Sequence, residues 1–300
     1  MEEEEENIII ELTYFANNVK INLLNSKFAD ENSGKYIFTD GKYKTSDFKI
    51  RVKSGIYFNV KLQLLGKIYD FSKMFEECPL VRLSSQFSLD ASHSFDMGAM
   101  FKDCVFLESV DIKIMNTENV IYMNDMFKNC KKIKHLPNMA SWKTPNLMYL
   151  NGMFEGCANL TKIPNISIWD TSKVKNCSMM FRGCTNLTHI PDISIWNTSK
   201  VDNCSMMFEG CISLDILPDL GKWDCSNIEN IDNMFYNCVS LVSVPHIKFY
   251  KSKSMEPKDI FINCISLSHF PHNFTESYEE NIIISNISNC LNLYIKISND

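Results

Sequence analysis

Glycine is scarce in this sequence, at 10 of 300 residues, and no two glycines form a Gly-x-Gly pair. The glycine-rich loops that cradle phosphate groups are therefore missing, which argues against nucleotide binding. Cys-x-x-Cys pairs, a common signature of zinc sites, are missing as well. Neither paired carboxylates nor a nucleophile elbow stand out. The sequence therefore predicts a protein that is not an enzyme and that has no cofactor and no metal site.

Basic charge and long apolar runs are also in short supply. The formal net charge is −6 at pH 7, and charged residues make up 22% of the chain. Nucleic-acid binding needs a basic stripe that neutralises phosphates, so we expect no nucleic-acid partner. No apolar run approaches the ~20 residues that a membrane span requires. We therefore expect no membrane span.

The first residues favour a cytoplasmic location. Glu2 to Glu6 form an acidic run, and the apolar run that follows it, Ile8 to Ile10, is only three residues long. A secretory signal instead begins with basic residues and continues into a longer apolar stretch. The expected location is therefore cytoplasmic, with the cell surface, reached by a non-standard route, as the alternative.

Repetition is what the chain has in abundance. A block of Met-Phe, two variable residues and Cys recurs along it, with Ile in place of Met at Ile260 and a degenerate last copy, Ile287 to Cys290, that lacks the Phe. Successive cysteines of the block are 26 or 27 residues apart. We call them the phased cysteines: Cys78, Cys104, Cys130, Cys157, Cys184, Cys211, Cys238, Cys264 and Cys290. Nine copies at so regular a period indicate a repeat protein.

Further apolar columns follow the same period. Leu or Ile stands three residues after most of these cysteines, as at Leu160, and in six repeats a proline follows shortly after, as at Pro164. One unit is too short to bury its own apolar face, so equivalent residues should stack into ladders along a solenoid. The repeat length lies in the leucine-rich-repeat range of about 20–29 residues. We expect a strand near residues 160–163 and its equivalents, ended by the proline.

The Met-Phe block is expected to form a short helical turn. A longer helix over much of residues 172–184 is the alternative, because Val174, Cys177, Phe181 and Cys184 have helical spacing. The sequence leaves both interpretations open.

The repeat unit resembles a known family. Residues 180–201, which begin Met180-Phe181-Arg182-Gly183-Cys184, are similar to the units of BspA-type leucine-rich-repeat proteins, and the resemblance covers residues 68–297. Such proteins occur as bacterial surface lipoproteins and in large protist families. The resemblance implies a right-handed solenoid used for protein binding or adhesion, with no catalytic residues. The expected fold is thus α/β and β-rich, a right-handed leucine-rich-repeat-type solenoid of about nine coils with an N-terminal β-rich cap.

Three regions follow from this interpretation. Residues 1–67 lack the repeat and contain candidate strands at 8–14, 19–24, 36–39, 42–44 and 58–65, with Asp40-Gly41 as a hairpin turn. They predict a β-rich N-terminal cap or small domain, because the first coil would otherwise expose its core edge. Residues 68–273 are the expected solenoid. Residues 274–300 are the expected degenerate last coil and C-terminal cap.

The cysteines allow more than one interpretation. A metal array or a disulfide ladder is conceivable, because stacked coils bring equivalent residues within the range that a disulfide spans. Their column is in phase with leucine and phenylalanine, however, and buried free cysteine behaves as a small hydrophobe. We therefore expect core cysteines, and Cys225, which replaces Thr171 and Thr198 in its column, is the expected exposed thiol.

Candidate partner-binding residues fall in two columns. Trp142, Trp169, Trp196 and Trp223 stand 27 residues apart. They either cover the edge of the core or form a row of binding anchors, because tryptophan is enriched at interface hot spots. Lys162 and His189 hold equivalent strand positions that vary between repeats, as an exposed recognition face would.

The sequence thus predicts a non-catalytic, protein-binding leucine-rich-repeat scaffold whose partner is a protein. The alternative is a cell-surface adhesin or host-interaction protein of BspA type.

Overall fold

The N-terminal region of the computed structural model is built from short strands. The structure describes residues 8–18, 20–39, 44–65, 67–244, 247, 258–268 and 290. The first elements are β1 (Ile8–Phe15), β2 (Lys20–Asn22), α1 (Ser26–Glu31), β3 (Tyr36–Thr39), β4 (Lys44–Thr45), β5 (Lys49–Arg51) and β6 (Tyr57–Leu64). Each segment expected to be a strand contains or overlaps one of these strands, whereas α1 and β5 were not expected. The expected turn at Asp40-Gly41 lies outside the described residues.

One sheet joins this region to the repeats. Its strand order is β4-β3-β6-β1-β7-β8, where β7 (Leu80–Asp90) and β8 (Ser109–Met115) belong to the first two repeats. β1 pairs antiparallel with β6 and β7, while β7 and β8 are parallel. β2 and β5 form a separate pair. The sheet therefore crosses the boundary expected near residue 67.

Alternating side chains give this sheet one buried face. Along β1, Ile10, Leu12 and Tyr14 are buried, while Ile9 and Glu11, which alternate with them, are exposed. Successive residues of a strand point to opposite faces, so this pattern places every second side chain in the core. The buried residues belong to one apolar cluster that continues through the repeats to Leu267. The N-terminal strands thus cover the first repeat.

A column of phenylalanine rings runs through the repeats. Neighbouring rings have centroids 5.2–6.0 Å apart and planes within 13° of each other. All of them are fully buried. The rings are those of Phe75, Phe101, Phe127, Phe154, Phe181, Phe208, Phe235 and Phe261. Each repeat therefore completes its core only against the ring of its neighbour.

Backbone hydrogen bonds follow the same direction as the rings. In each Met-Phe turn, alternate N–H groups donate to carbonyls of the next repeat, as from Phe181 to Met207 at 2.9 Å and from Gly183 to Glu209 at 2.7 Å. The first repeat has no predecessor to donate to its own carbonyls. The N–H of Asn25, just before α1, supplies such a bond by donating to the Met74 carbonyl at 3.0 Å. The N-terminal region thus caps the ladder at this position.

Left-handed residues rule out a helix in these turns. Each turn contains two residues with positive φ four positions apart, as at Met179 (57°) and Gly183 (69°). The second of them directly precedes the phased cysteine and is Gly, Asn or Asp in all repeats but the first, which has Glu77. Glycine, asparagine and aspartate reach this conformation most readily. The alternative of a helix over residues 172–184 is therefore wrong, because the chain forms hydrogen-bonded turns there.

Proline limits the strands of the later repeats. β7 and β8 have 11 and 7 residues, and Ser84 and Asp111, which pair with each other, stand near the position that proline holds in later repeats. Where proline is present, the expected strand is reduced to a single bridge, as between Lys162 and His189. Proline has no N–H to continue a ladder. The remaining short elements are 3₁₀ helices at Thr117–Asn119, Ile193–Ile195 and Leu220–Lys222.

The structure supports stacked repeats, whereas the hand of the solenoid and its number of coils stay predictions. Ring columns and forward hydrogen bonds are the geometry that stacked repeats require. The right hand and the number of about nine coils stay predictions. The expected C-terminal cap at residues 274–300 lies outside the described residues except for Cys290.

Truncating one ring should destabilise the whole stack. Phe181→Ala removes a fully buried ring, and the lost burial and the resulting cavity should cost about 3–5 kcal/mol. The free energy of unfolding in urea measures this. The matched control is Ile195→Ala, whose side chain is 62% exposed and whose loss should change stability by less than about 0.5 kcal/mol. Equal losses would contradict the stacked core.

The left-handed turn should reject β-branched residues. Asn237 has φ of 59°, so Asn237→Val should lower the free energy of unfolding by at least about 1–2 kcal/mol. Asn237→Gly should be tolerated, because glycine already holds the equivalent position at Gly210. Urea denaturation of the two variants separates the backbone effect from the loss of the side chain. If Asn237→Val and Asn237→Gly destabilised the chain equally, the left-handed backbone would not be the cause.

Candidate functional site

The four tryptophans lie in the interior. Trp142, Trp169, Trp196 and Trp223 are 2–6% exposed. Three of the indoles donate to a carbonyl of the preceding repeat: Trp169 to Met139 at 3.1 Å, Trp196 to Ile166 at 3.1 Å and Trp223 to Ile193 at 2.9 Å. The indole N–H of Trp142 has no partner among the described residues. The column therefore covers the core edge and leaves very little ring surface for contact, and a partner-binding role for these residues stays a prediction.

Lys162 and His189 are exposed and adjacent. The bridge between them places the two residues side by side in successive repeats. His189 is hydrogen-bonded through Nδ1 to the Thr188 hydroxyl at 2.9 Å and lies at a shallow depression of about 440 Å³. Asp215 and Lys222 also border this depression. Within the described ranges, no group of three His, Cys, Asp or Glu residues is arranged to hold a metal ion. These two residues therefore offer a polar surface for contact, and their role in binding stays a prediction.

The phased cysteines form an inert interior column. Each thiol from Cys104 to Cys264 donates to the phenylalanine carbonyl of the preceding repeat, over 2.8–3.1 Å. Burial raises the pKa of Cys184 and of Cys264 to about 12. Because the thiolate is the reactive form, such thiols are poor nucleophiles at neutral pH. Each of these cysteines therefore acts as a small core side chain whose S–H group donates one hydrogen bond to the neighbouring repeat.

Cys225 is not the exposed thiol that the sequence predicted. It is 2% exposed, and that expectation was wrong. The threonines of its column, Thr171 and Thr198, are buried too, and their hydroxyls donate to carbonyls of the next repeat at 3.1 and 3.0 Å. Cysteine therefore replaces a buried hydroxyl and not a surface one.

A ladder of ion pairs lies beside the Met-Phe turns. Lys128 contacts Glu155 at 2.8 Å, and Arg182 lies between Glu155 at 3.3 Å and Glu209 at 3.0 Å. These side chains occupy equivalent positions in successive repeats, so opposite charges meet along the stack. This side of the molecule is therefore internally neutralised.

Exposed aromatic residues also lie on another side, just before the Met-Phe turns. We call this surface the aromatic side face. Phe95 is 56% exposed, Tyr69 is 54% exposed and Tyr122 is 39% exposed. The rings of Tyr122 and Tyr149 stack with centroids 5.1 Å apart. The face consists of Tyr69, Phe95, Ile121, Tyr122, Met148 and Tyr149. It spans four successive repeats in two adjacent columns.

The later repeats carry polar residues at the same positions. Lys175, Asp202 and Glu229 continue the column of Phe95, Ile121 and Met148. Asn176, Asn203 and Asn230 continue the column of Tyr122 and Tyr149, with the same parallel bridges. The backbone geometry is therefore made equally well by asparagine and by tyrosine. Packing of the repeats does not require the aromatic side face.

Charged groups border this face at both ends. The Lys35 ammonium lies 5.4 Å from the centre of the Tyr69 ring, a cation–π contact. Lys175 is exposed beyond Met148, to whose carbonyl its N–H donates at 2.9 Å. Asp96 is half-buried beside Phe95; burial raises the pKa of its carboxyl although that group accepts from the Gly98 N–H at 2.7 Å. One lysine therefore lies at each end of the face, and the carboxyl of Asp96 lies within the first end.

Sequence reasoning missed the aromatic side face, although a signal was present. The column of Val120, Leu147, Val174 and Val201 is visible in the repeat alignment. The residue after each of these is Ile121, Met148, Lys175 or Asp202, so the change from apolar to charged could have been noticed. Only the structure shows that these positions are exposed or half-buried at the surface.

Comparison with known proteins places the chain in a family. A family model described as "Mycoplasma protein of unknown function, DUF285" matches residues 58–164 and again residues 150–274. The chain belongs to the DUF285 family. No curated protein and no solved structure was found to match it. The two DUF285 matches follow one another along the repeats, and the first contains the whole aromatic side face. Similarity to BspA-type proteins stays a prediction.

We also searched the helices for a possible membrane span. Among the described residues, no helix has both the length and the apolar character needed to cross a bilayer.

Buried thiols should make the fold sensitive to alkaline pH. The pKa of Cys184 is raised from 9.0 to about 12 in the folded chain, so the unfolded chain loses this proton first. Stability is fully present below pH 9 and should fall between pH 9 and about 12. Each such thiol should add a slope of up to about 1.4 kcal/mol per pH unit.

Urea unfolding at a series of pH values measures that slope. Cys184→Ala should show a shallower decline above pH 9 than the parent, whatever its stability at neutral pH. Identical slopes would mean that this thiol does not titrate differently in the two states.

Proposed function

We propose that this DUF285 protein is a non-catalytic, protein-binding repeat scaffold of leucine-rich-repeat type whose contact surface is the aromatic side face. One observation carries the proposal. The column of Tyr69 and Phe95 is aromatic or aliphatic in four repeats and charged in the next three, and in the adjacent column, which begins with Asp70 and Asp96, two tyrosines are followed by three asparagines. The parallel bridges form with tyrosine as well as with asparagine, so the repeat framework does not demand aromatic side chains here. A partner that contacts these repeats supplies a reason for them.

The residue types suit an interface. Exposed apolar side chains that cluster, unlike single ones, mark interaction sites. Tyrosine is enriched among residues whose truncation weakens binding most, because it combines a large apolar ring with a hydrogen-bonding hydroxyl. Tyr122 and Tyr149 also support each other by stacking, so little side-chain freedom is lost when a partner docks.

The spacing of the repeats favours an amphipathic helix as the partner segment. Rings in successive repeats are 5.1–6.0 Å apart, close to the helical pitch of about 5.4 Å. A helix aligned with the stack would place one apolar side chain opposite each repeat, with spacing i, i+4, i+7 and i+11. Four repeats correspond to about three helical turns. Lys35 and Lys175 at the ends of the face favour acidic residues at both ends of that helix.

Selection from a displayed peptide library tests this proposal. Random peptides of about 18 residues, long enough for about five helical turns, are selected on the full chain. Binding of the selected peptides is then compared with a double variant, Phe95→Lys with Tyr122→Asn. Both new residues are those that the chain itself carries in later repeats, so the fold should be retained. We expect peptides with helical apolar spacing and acidic ends, weakened at least about tenfold, or 1.4 kcal/mol, by the double variant.

The matched control is Ile195→Lys. Ile195 is 62% exposed, lies away from the aromatic side face, and has Lys222 at its position in the next repeat. It should bind the selected peptides as the parent does. Peptides that bind the double variant undiminished, or a library that yields no binder, would overturn the proposal.

A further inference from the structure

One interior column contains two cysteines in neighbouring repeats. It lies directly beside the columns of the aromatic side face and is filled elsewhere by large apolar side chains. Its members are Met97, Met123, Leu150, Cys177, Cys204 and Ile231. The phased cysteines stand at the same position in every repeat, whereas here only two adjacent repeats carry a thiol. The repeat framework therefore does not demand cysteine at this place.

The two thiols face each other. Their Sγ atoms are 3.2 Å apart, closer than in an ordinary contact between side chains. The phased cysteines are arranged differently: Cys184 and Cys211, from the same two repeats, each donate to a phenylalanine carbonyl at 3.0 and 3.1 Å. Only the Cys177–Cys204 pair thus has sulfur opposite sulfur among the described contacts.

The backbone already holds the pair at a suitable separation. The Cys177 N–H donates to the Asn203 carbonyl at 3.1 Å, and the preceding residues, Asn176 and Asn203, form a parallel bridge. Neighbouring strands in such a bridge lie about 4.8 Å apart, within the Cα separation of about 4.4–6.8 Å that disulfides adopt. Bond formation needs the sulfurs to approach from 3.2 Å to about 2.0 Å, which small side-chain rotations provide.

We propose that Cys177 and Cys204 are a redox modification site, at which a disulfide links two adjacent repeats when the chain meets a small-molecule disulfide such as oxidised glutathione. In the first step a thiolate of the pair attacks the reagent and displaces one of its thiols. In the second step the other cysteine attacks the mixed disulfide and displaces the second thiol. Two protein S–H bonds and one reagent S–S bond are broken, and one protein S–S bond and two reagent S–H bonds are formed. Two electrons pass from the protein to the reagent.

The link would fasten the repeats just beyond the aromatic side face. Cys177 directly follows Asn176, which pairs with Tyr149, so the bond would fix the polar repeats that end this face. Cys177 is 3% exposed and Cys204 is fully buried. Attack therefore waits for local opening of the stack, and oxidation should take hours and not seconds. The bond constrains the unfolded chain, so the urea midpoint should rise on oxidation and return on reduction.

Mass mapping of the native full chain tests this site. The protein is incubated with oxidised glutathione at about pH 8, where thiol exchange proceeds. Remaining thiols are then alkylated in urea before digestion. We expect one linked peptide pair, joining Cys177 to Cys204 and lighter by two hydrogen atoms, while the phased cysteines are alkylated. Oxidation of the phased cysteines in preference, or a stable glutathione adduct without the link, would overturn the proposal.

Two variants keep the result unambiguous. Cys177→Met uses the residue that Met123 provides in the same column, so it should fold, and it should lose both the link and the rise of the urea midpoint. Cys225→Thr uses the residue of Thr198 and removes another buried thiol that interacts electrostatically with both cysteines. It should retain both effects. A link that depends on Cys225 would mean that the wrong pair has been assigned.

Discussion

Contact between each repeat and the next is the interaction on which the rest of the structure depends. In the Met-Phe turns, backbone N–H groups donate forward, the phenylalanine ring stacks forward, and the cysteine thiol donates back to a phenylalanine carbonyl. All three interactions involve the same few residues. Among the described repeats, each needs a neighbour to satisfy its backbone and bury its ring, and at the first repeat the N-terminal region supplies part of what a preceding repeat would.

That constraint also decides where the chain is free to vary. Positions that face the stack are held mostly to apolar side chains and cysteine, because each packs against its counterpart in the next repeat. Positions that point outward need only make the same backbone bridge, which tyrosine and asparagine do equally. The aromatic side face and the polar surface of the later repeats are therefore alternative uses of one framework, and the proposed binding function requires no departure from the fold.

Part of this could be anticipated from the sequence. The period, the phenylalanine column and the burial of the phased cysteines follow from recurrence alone, because a residue repeated at every turn has a repeated environment. Local conformation did not follow. Val174, Cys177, Phe181 and Cys184 have helical spacing, yet paired left-handed residues give a turn that points the same side chains inward. The burial of Cys225 was missed because threonine looks polar in a sequence, whereas its hydroxyl here bonds inside the stack.

The sequence by itself determined that the chain repeats and which columns form the core, since a ladder needs the same residue type at the same interval. Only the tertiary structure decided which of the remaining side chains meet. Tyr122 and Tyr149 stack, and Cys177 and Cys204 face each other, although about one repeat of chain separates each pair. Period places such residues in neighbouring repeats, but turn conformation and stacking set the direction of each side chain. The direction of a side chain decides whether it contacts the neighbouring repeat, the core or a partner.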